Sequence, residues 1–529
     1  MAFIRRLALA AAAMAALAGG ATAQVVYNRG NDADPETLDP HKTATVYEAN
    51  ILRDLYEGLV IHDAAGRVAP GVAEKHEISD DGRTYRFTLR ANARWSNGDP
   101  VRASDFVFSL HRIMDPNTGA KYANILYPVL NAEKINKGQG GAKVEDLGVK
   151  AVDERTLEIT LERPTPYFLE LLTHQSATPV HPGSVRTHGQ NFTKPENIIS
   201  NGAYVLKEWV PNSHIRLEKN PQFHAAASVK IDVVRYEPTK DLAAAARRFM
   251  AGELHSTSDI PADQTKFLKE KLGDQVKISP YLGTFYLAVN TSKKPFDDPR
   301  VRQALSIAID REFIAEEIWQ GTMLPAYSFV PPGIAGYAPA TADTRDLSPI
   351  DREDKAKALL KEAGFGPGLK TLKVELRYNT TDNNRNTAVA IANQWKAIGV
   401  ETSFINTDAK THFAHLRDGG DFDVARAGWI ADYSDPQNFL FLVQSDNPGF
   451  NYAKYKNPEY DALMKKSADE RDPAKRAAIL QEVEKIFMRD LPYIPVLFYS
   501  NKNLVSAKLE GWIPNLRGAN ATRFLSLKP

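Results

Sequence analysis

The sequence predicts an α/β protein built in more than one lobe, and three observations predict it. The chain has 529 residues, about twice what one hydrophobic core usually serves. Apolar residues alternate with polar ones in some stretches and recur at helical spacing in others, and the two patterns interleave along the whole length. Tyr85, Phe87 and Leu89 form one alternating set, and Leu157, Ile159 and Leu161 another; each predicts a strand with one buried face. Val301, Leu305 and Ile309 follow Asp298-Pro299, and Ile479, Val483, Ile486 and Phe487 follow Asp472-Pro473. Both predict helices, because an Asp cap before a first-turn proline is a start signal. Gly/Pro-rich joints fall near Val330 to Pro339 and Gly364 to Gly368, and no internal repeat is evident.

The first residues predict a cleavable secretory leader. Arg5 and Arg6 precede an apolar run from Leu7 to Ala18 and small residues ending at Ala23, which predicts cleavage after Ala23 over a 1–23 signal segment. That run is too short to span a bilayer, and no later segment offers the roughly 18 uninterrupted apolar residues a membrane helix needs, so no membrane insertion is expected. The chain contains no cysteine; disulfides, thiolate metal sites and a lipid-modified cysteine anchor are therefore excluded, and free residence in a periplasm is expected. Arg5 and Arg6 leave with the leader, taking 66 basic residues to 64 against 65 acidic ones. A near-neutral chain does not suit nucleic acid as a partner.

Catalytic patterns are missing. There is no His-Glu-x-x-His, no Gly-x-Ser-x-Gly and no Gly-x-x-x-x-Gly-Lys. Gly364 to Gly368 reads as a helix-ending loop. His412 and His415 have the spacing of one helix face, but no further metal ligands lie near them. Asp421 with Asp423, and Asp432 with Asp435, are too close in sequence to indicate a glycosidase pair. No catalytic residue, metal or cofactor is expected.

The run from Asp423 to Pro436 reads DVARAGWIADYSDP, followed by Asn438-Phe439-Leu440 and by Tyr455-Lys456-Asn457-Pro458-Glu459-Tyr460-Asp461. Leu38-Asp39-Pro40-His41, ANARWSNGDPVRASDFVFSL from Ala91, NGAY from Asn201, KKPFDDPRVRQALSIAIDR from Lys293 and YIPVLFY from Tyr493 accompany it. In order and spacing these resemble the oligopeptide-binding members of family 5 of the ABC-importer solute receptors. The resemblance implies a periplasmic binding protein of type II-like fold with three lobes, a two-crossing hinge and a ligand cleft between lobes. Lobe I would comprise 24–56, 181–282 and 501–529, lobe II an insertion at 57–180, and lobe III 283–500.

By the same resemblance, Asp432 takes a peptide's α-ammonium, a task for a carboxylate because it supplies both charge and acceptors. Without the resemblance, the same Asp reads as a cap on the turn before Pro436. Peptide backbone adds as a strand to segments around Val46 and around Gly428, Trp429 and Ile430, which makes binding indifferent to side chains. Trp429, Tyr122, Tyr281, Tyr286 and Tyr499 match pocket-lining aromatics, each with ordinary core as the alternative. Arg426 and Arg417 match two arginines near the ligand. Arg426 is favoured for the terminal carboxylate, against an internal ion pair with a nearby Asp. Departures occur at Ala44, at Asn384 beside Arg385 where relatives have a histidine, and near Trp319; they alter the carboxylate end and hence peptide length. Implied partners are short peptides and an inner-membrane ABC permease with separate ATPase subunits, served by a monomer. The rivals are the same fold with another solute, such as a dipeptide, cell-wall peptide or haem, a secreted hydrolase, and a chaperone-like role.

Overall fold

Two four-stranded sheets and one six-stranded sheet, with two small two-stranded ribbons, carry the architecture. The computed structural model describes residues 24–528 except Asp32, Ala44, Lys240 and Pro448; the expected leader and the Ala44 departure lie outside the described residues. In the first sheet, Val26–Gly30 runs parallel to Val233–Glu237, which pairs antiparallel with His214–Lys219 and that with Tyr204–Val210. The second is antiparallel, in the order Ala73–Ile78, Thr84–Leu89, Thr156–Thr160, Val149–Ala151. Its Tyr85 faces Ile159 and its Phe87 faces Leu157, so both expected strands form and pair through their apolar faces. One continuous core gathers both sheets, from Tyr27 to Tyr236 and again from Val505 to Leu525.

The six-stranded sheet runs Leu324–Pro325, Tyr493–Leu504, Val276–Val289, Val424–Ile430, Leu372–Asn379, Val400–Thr407. Its side chains alternate between two cores. Phe285, Leu287 and Val289 pack with Val301, Leu305, Ile391 and Trp395 on one face. Tyr286 and Ala288 pack with Phe439, Tyr460, Val483 and Phe487 on the other. Helices thus cover both faces, the arrangement a sheet buried on both sides needs. The two expected helices are Pro299–Ile307, capped by Asp298, and Pro473–Asp490, capped by Asp472 through Lys475 N–H. Ile309 falls just past the first helix yet is fully buried, and in the second Leu480 takes the core position while Ile479 is half-buried. The helix Pro349–Glu362 ends before Gly364, whose φ of 90° suits glycine.

Val276–Val289 and Tyr493–Leu504 run from the cores of the six-stranded sheet to a smaller core around Leu254, Leu268 and Leu504. Val276 to Pro280 pair with Ser500 to Leu504, and Thr284 onward pair with Phe498 and its predecessors. Between these stretches Tyr281, Leu282 and Gly283 oppose Tyr499, so the ladder breaks there. Such a break bends the strand and frees backbone for other partners; Leu282 N–H donates to Leu516 O at 3.0 Å.

Candidate functional site

The strand Val424–Ile430 lies against Val276–Val289 along its whole length, but on its other side it pairs with Leu372–Asn379 only at Val424 and Ala425. From Arg426 onward that edge has no strand partner among the described residues. Which residues face it follows from two hydrogen bonds. Ala431 N–H donates inward to Leu282 O at 2.9 Å, and His412 Nε2–H donates from outside to Arg426 O at 2.7 Å. Antiparallel pairing alternates the direction of backbone groups, so Gly428 and Ile430 point their N–H and C=O groups at the open edge. A strand edge of this kind is a template for another extended chain.

Asp432 stands where this edge ends. Its backbone is held: N–H donates to Asn438 Oδ1 at 3.3 Å, and the carbonyl accepts from Arg517 Nη1 at 2.8 Å. Asn438 Oδ1 also accepts from Trp429 Nε1 at 2.9 Å. The Asp432 carboxylate itself has no hydrogen-bond or ion-pair partner among the described residues, and partial burial raises its pKa against the opposing pull of Arg517. Asp435, three residues on, is the opposite case: Arg476 grips it with two bonds of 2.7 and 2.8 Å. One acid is a structural brace, and the other is left facing a cavity lined also by Tyr122, Tyr281 and Ile430.

At the other end of the edge, Arg426 donates from Nη1 to Asn379 Oδ1 and from Nη2 to Tyr499 OH, both at 2.9 Å, and lies 4.6 Å over the Phe285 ring. No carboxylate pairs with it among the described residues, so the internal ion pair weighed from sequence does not form.

The model of the bacterial extracellular solute-binding proteins, family 5, matches residues 67–451. The chain belongs to this family. A member from Salmonella typhimurium, the periplasmic oligopeptide-binding protein OppA, is 41% identical over 488 residues, 92% of this chain and 89% of that protein. The structure of the periplasmic murein tripeptide-binding protein MppA in its unliganded open form superposes with a TM-score of 0.90 at 37% identity, covering 96% of this chain and 98% of that one. A second MppA structure, from Escherichia coli, has the same identity and covers 96% and 99%, but superposes at 0.73.

Within this family 5 fold, several expected positions sit together. Tyr281, Tyr499, Ile430 and Val46 line one cavity of about 390 Å³. Trp429 is half-buried against Phe441 and Phe450, at 5.7 and 5.1 Å, and the Tyr122 ring lies tilted against His174 at 5.0 Å. Gly428 leaves room for a close approach, since a Cβ there would lie 2.6 Å from Tyr499 OH and the phenol would have to move.

Other positions need correction. Tyr286 is 1% exposed and stacked on Tyr493 at 4.5 Å; it is core, because its place in the strand turns it to the helix-covered face. Asn384 is also buried, its Nδ2 donating to Asn379 O at 2.9 Å, so its amide braces a strand end. Val46 lines the cavity as the first residue of the helix Val46–Leu55, with Thr45 before it extended (φ −122°, ψ 154°); Val46 itself is a helix start rather than a strand residue, because Thr45 and Glu48 form a capping box. Arg417 is exposed in the last turn of Ala409–Arg417 and lines neither cavity named above. His412 and His415 each bond a backbone carbonyl, of Arg426 and Asp421. Sequence reasoning did not single out Arg53, His174 or Arg517, which come from distant segments to line the Asp432 cavity. Asn438 was visible only as part of a motif.

Proposed function

We propose that this family 5 protein is a periplasmic receptor that binds short peptides between its lobes and delivers them, chemically unchanged, to an inner-membrane ABC permease with separate ATPase subunits. The observation that carries this reading is the unpartnered Asp432 carboxylate at the end of an unpaired strand edge. A free peptide supplies what both lack: an α-ammonium for the acid and extended backbone for Gly428 and Ile430. Arg426, held but not neutralised, is the group for the terminal carboxylate. The names of OppA and MppA, receptors for oligopeptides and murein tripeptide, support the same cargo class.

In this reading lobe I is 24–56, 181–282 and 501–529, lobe II 57–180 and lobe III 283–500, with the hinge at the ladder break opposite Tyr499. Closure over the peptide buries it and creates the surface the permease recognises. A leader cut after Ala23 brings a monomer to the periplasm.

Calorimetry on ligand-stripped protein tests this, using tri-, tetra- and pentapeptides and their N-acetylated forms, in wild type and Asp432→Asn. Free-amine peptides bind; acetylation or the substitution each weakens binding by roughly 3 to 5 kcal/mol, the scale for orphaning one partner of a buried ion pair. Binding that ignores acetylation would overturn the amine anchor.

A further inference from the structure

The cavity that Asp432 faces is not simply acidic. Arg53 and Arg517 line it too, together with His174 and Tyr122, and Asp432 is the acidic residue of that lining. Neither guanidinium forms an ion pair among the described residues. Arg53, in the last turn of Val46–Leu55, donates from Nη1 to Asn50 Oδ1 at 2.9 Å. Arg517 spends Nη1 on the carbonyls of Ala431 and Asp432, at 3.4 and 2.8 Å. Their remaining N–H groups have no partner among the described residues.

His174 adds a neutral donor. Burial, with both arginines nearby, pushes its imidazole down to about 3, and Nδ1 accepts Ser176 N–H at 3.2 Å. The ring proton therefore sits on Nε2. Two like charges in a partly dry cavity repel each other, and Arg53 is pulled down to about 10 by burial and then by Arg517. Once an ammonium neutralises Asp432, both guanidiniums face the ligand uncompensated. A carboxylate beside the ammonium relieves this.

Deepening the peptide-receptor reading and resting on it, we propose that this cavity is a two-part subsite for peptides whose first residue carries a carboxylate. The ammonium sits on Asp432 and the carboxylate on Arg53 and Arg517. N-terminal Glu or Asp meets this description, as does a first glutamate linked through its side chain, which keeps a free α-carboxylate. Only the first residue reaches the subsite, because a chain paired along Gly428 to Ile430 leads away from Asp432.

The test is calorimetric binding of Glu-Ala-Ala and Gln-Ala-Ala to wild type and Arg53→Gln. The Glu peptide binds wild type at least about tenfold tighter, a difference of about 1.4 kcal/mol, and in Arg53→Gln the two peptides come within about twofold. Arg53→Lys, which keeps the charge, retains a preference for the Glu peptide. Equal binding of both peptides to wild type overturns the subsite while leaving the receptor reading standing, and needs no variant to fold. A preference that survives Arg53→Gln overturns the role of Arg53. If neither peptide binds, the receptor reading falls and takes the subsite with it.

Discussion

Arg426 donates to the Tyr499 hydroxyl at 2.9 Å across the face of Gly428, and the absence of a side chain at Gly428 is what lets the hydroxyl sit there. The strand bearing the open edge and the strand bearing the ladder break are thereby locked through one phenol. Gly428→Ala forces that phenol aside or bends the edge, at an overpacking cost of about 1 to 3 kcal/mol. Peptide affinity should fall by roughly tenfold or more, and Tyr499→Phe in the same chain should recover part of it. Calorimetry on the single and double variants checks both.

Asp432 and Asp435 separate function from stability. Asp435→Asn leaves the buried Arg476 charge without its partner and should cost about 3 to 5 kcal/mol in urea unfolding, with the preference for free-amine peptides intact. Asp432→Asn should leave ligand-free stability equal or slightly higher, because its carboxylate is desolvated without a partner, while abolishing that preference. A destabilised Asp432→Asn would mean that the acid has a structural bond in the folded protein.

His41 should contribute to acid sensitivity, beside His174 and His412, whose imidazoles burial also pushes down, to about 3 and about 4. The His41 Nδ1 accepts from Arg112 Nη1 at 2.8 Å and Nε2–H donates to Thr178 O at 3.2 Å, so the ring is neutral in the fold, and burial pushes its pKa down to about 4. The unfolded chain titrates near 6.5 and so binds more protons below that pH. His41 therefore contributes stability that is present above about 6.5 and is lost as pH falls towards 4. Glu484, buried and pushed up to about 7, acts in the opposite sense between about 4.5 and 7, which masks the effect in wild type alone. The measurable quantity is the difference between wild type and His41→Gln, which should shrink by about 3 kcal/mol between pH 7 and pH 4.

On the receptor reading, cargo should make the molecule more compact. Small-angle scattering of the stripped protein should show a radius of gyration that falls on adding a saturating tripeptide, and that does not fall in Asp432→Asn at the same concentration. An unchanged radius in wild type would place the peptide outside the interlobe cleft.

Local chemistry was legible in the sequence. Asp298-Pro299 and Asp472-Pro473 start helices because a cap and a fixed φ act within one turn, and Tyr85, Phe87 and Leu89 form a strand because the pleat has a period of two. The ordered motifs around Asp432 pointed to the family and to an acid at the cleft, although the same residues also read as a turn cap. Which acid was free depended on Arg476, which reaches Asp435 from the distant helix Pro473–Asp490.

Sequence alone determined the α/β class, the helix starts, the alternating strands and the candidate anchor, since each depends on neighbours along the chain. Only the tertiary structure decided which of the matched tyrosines line a cavity. Tyr286 is turned into a helix-covered core by strand parity, while Tyr499 meets the cavity because the ladder breaks opposite it. It likewise brought Arg53 and Arg517 to the cavity Asp432 faces. Long-range packing sets that convergence, and no local pattern encodes which distant charges share one desolvated space.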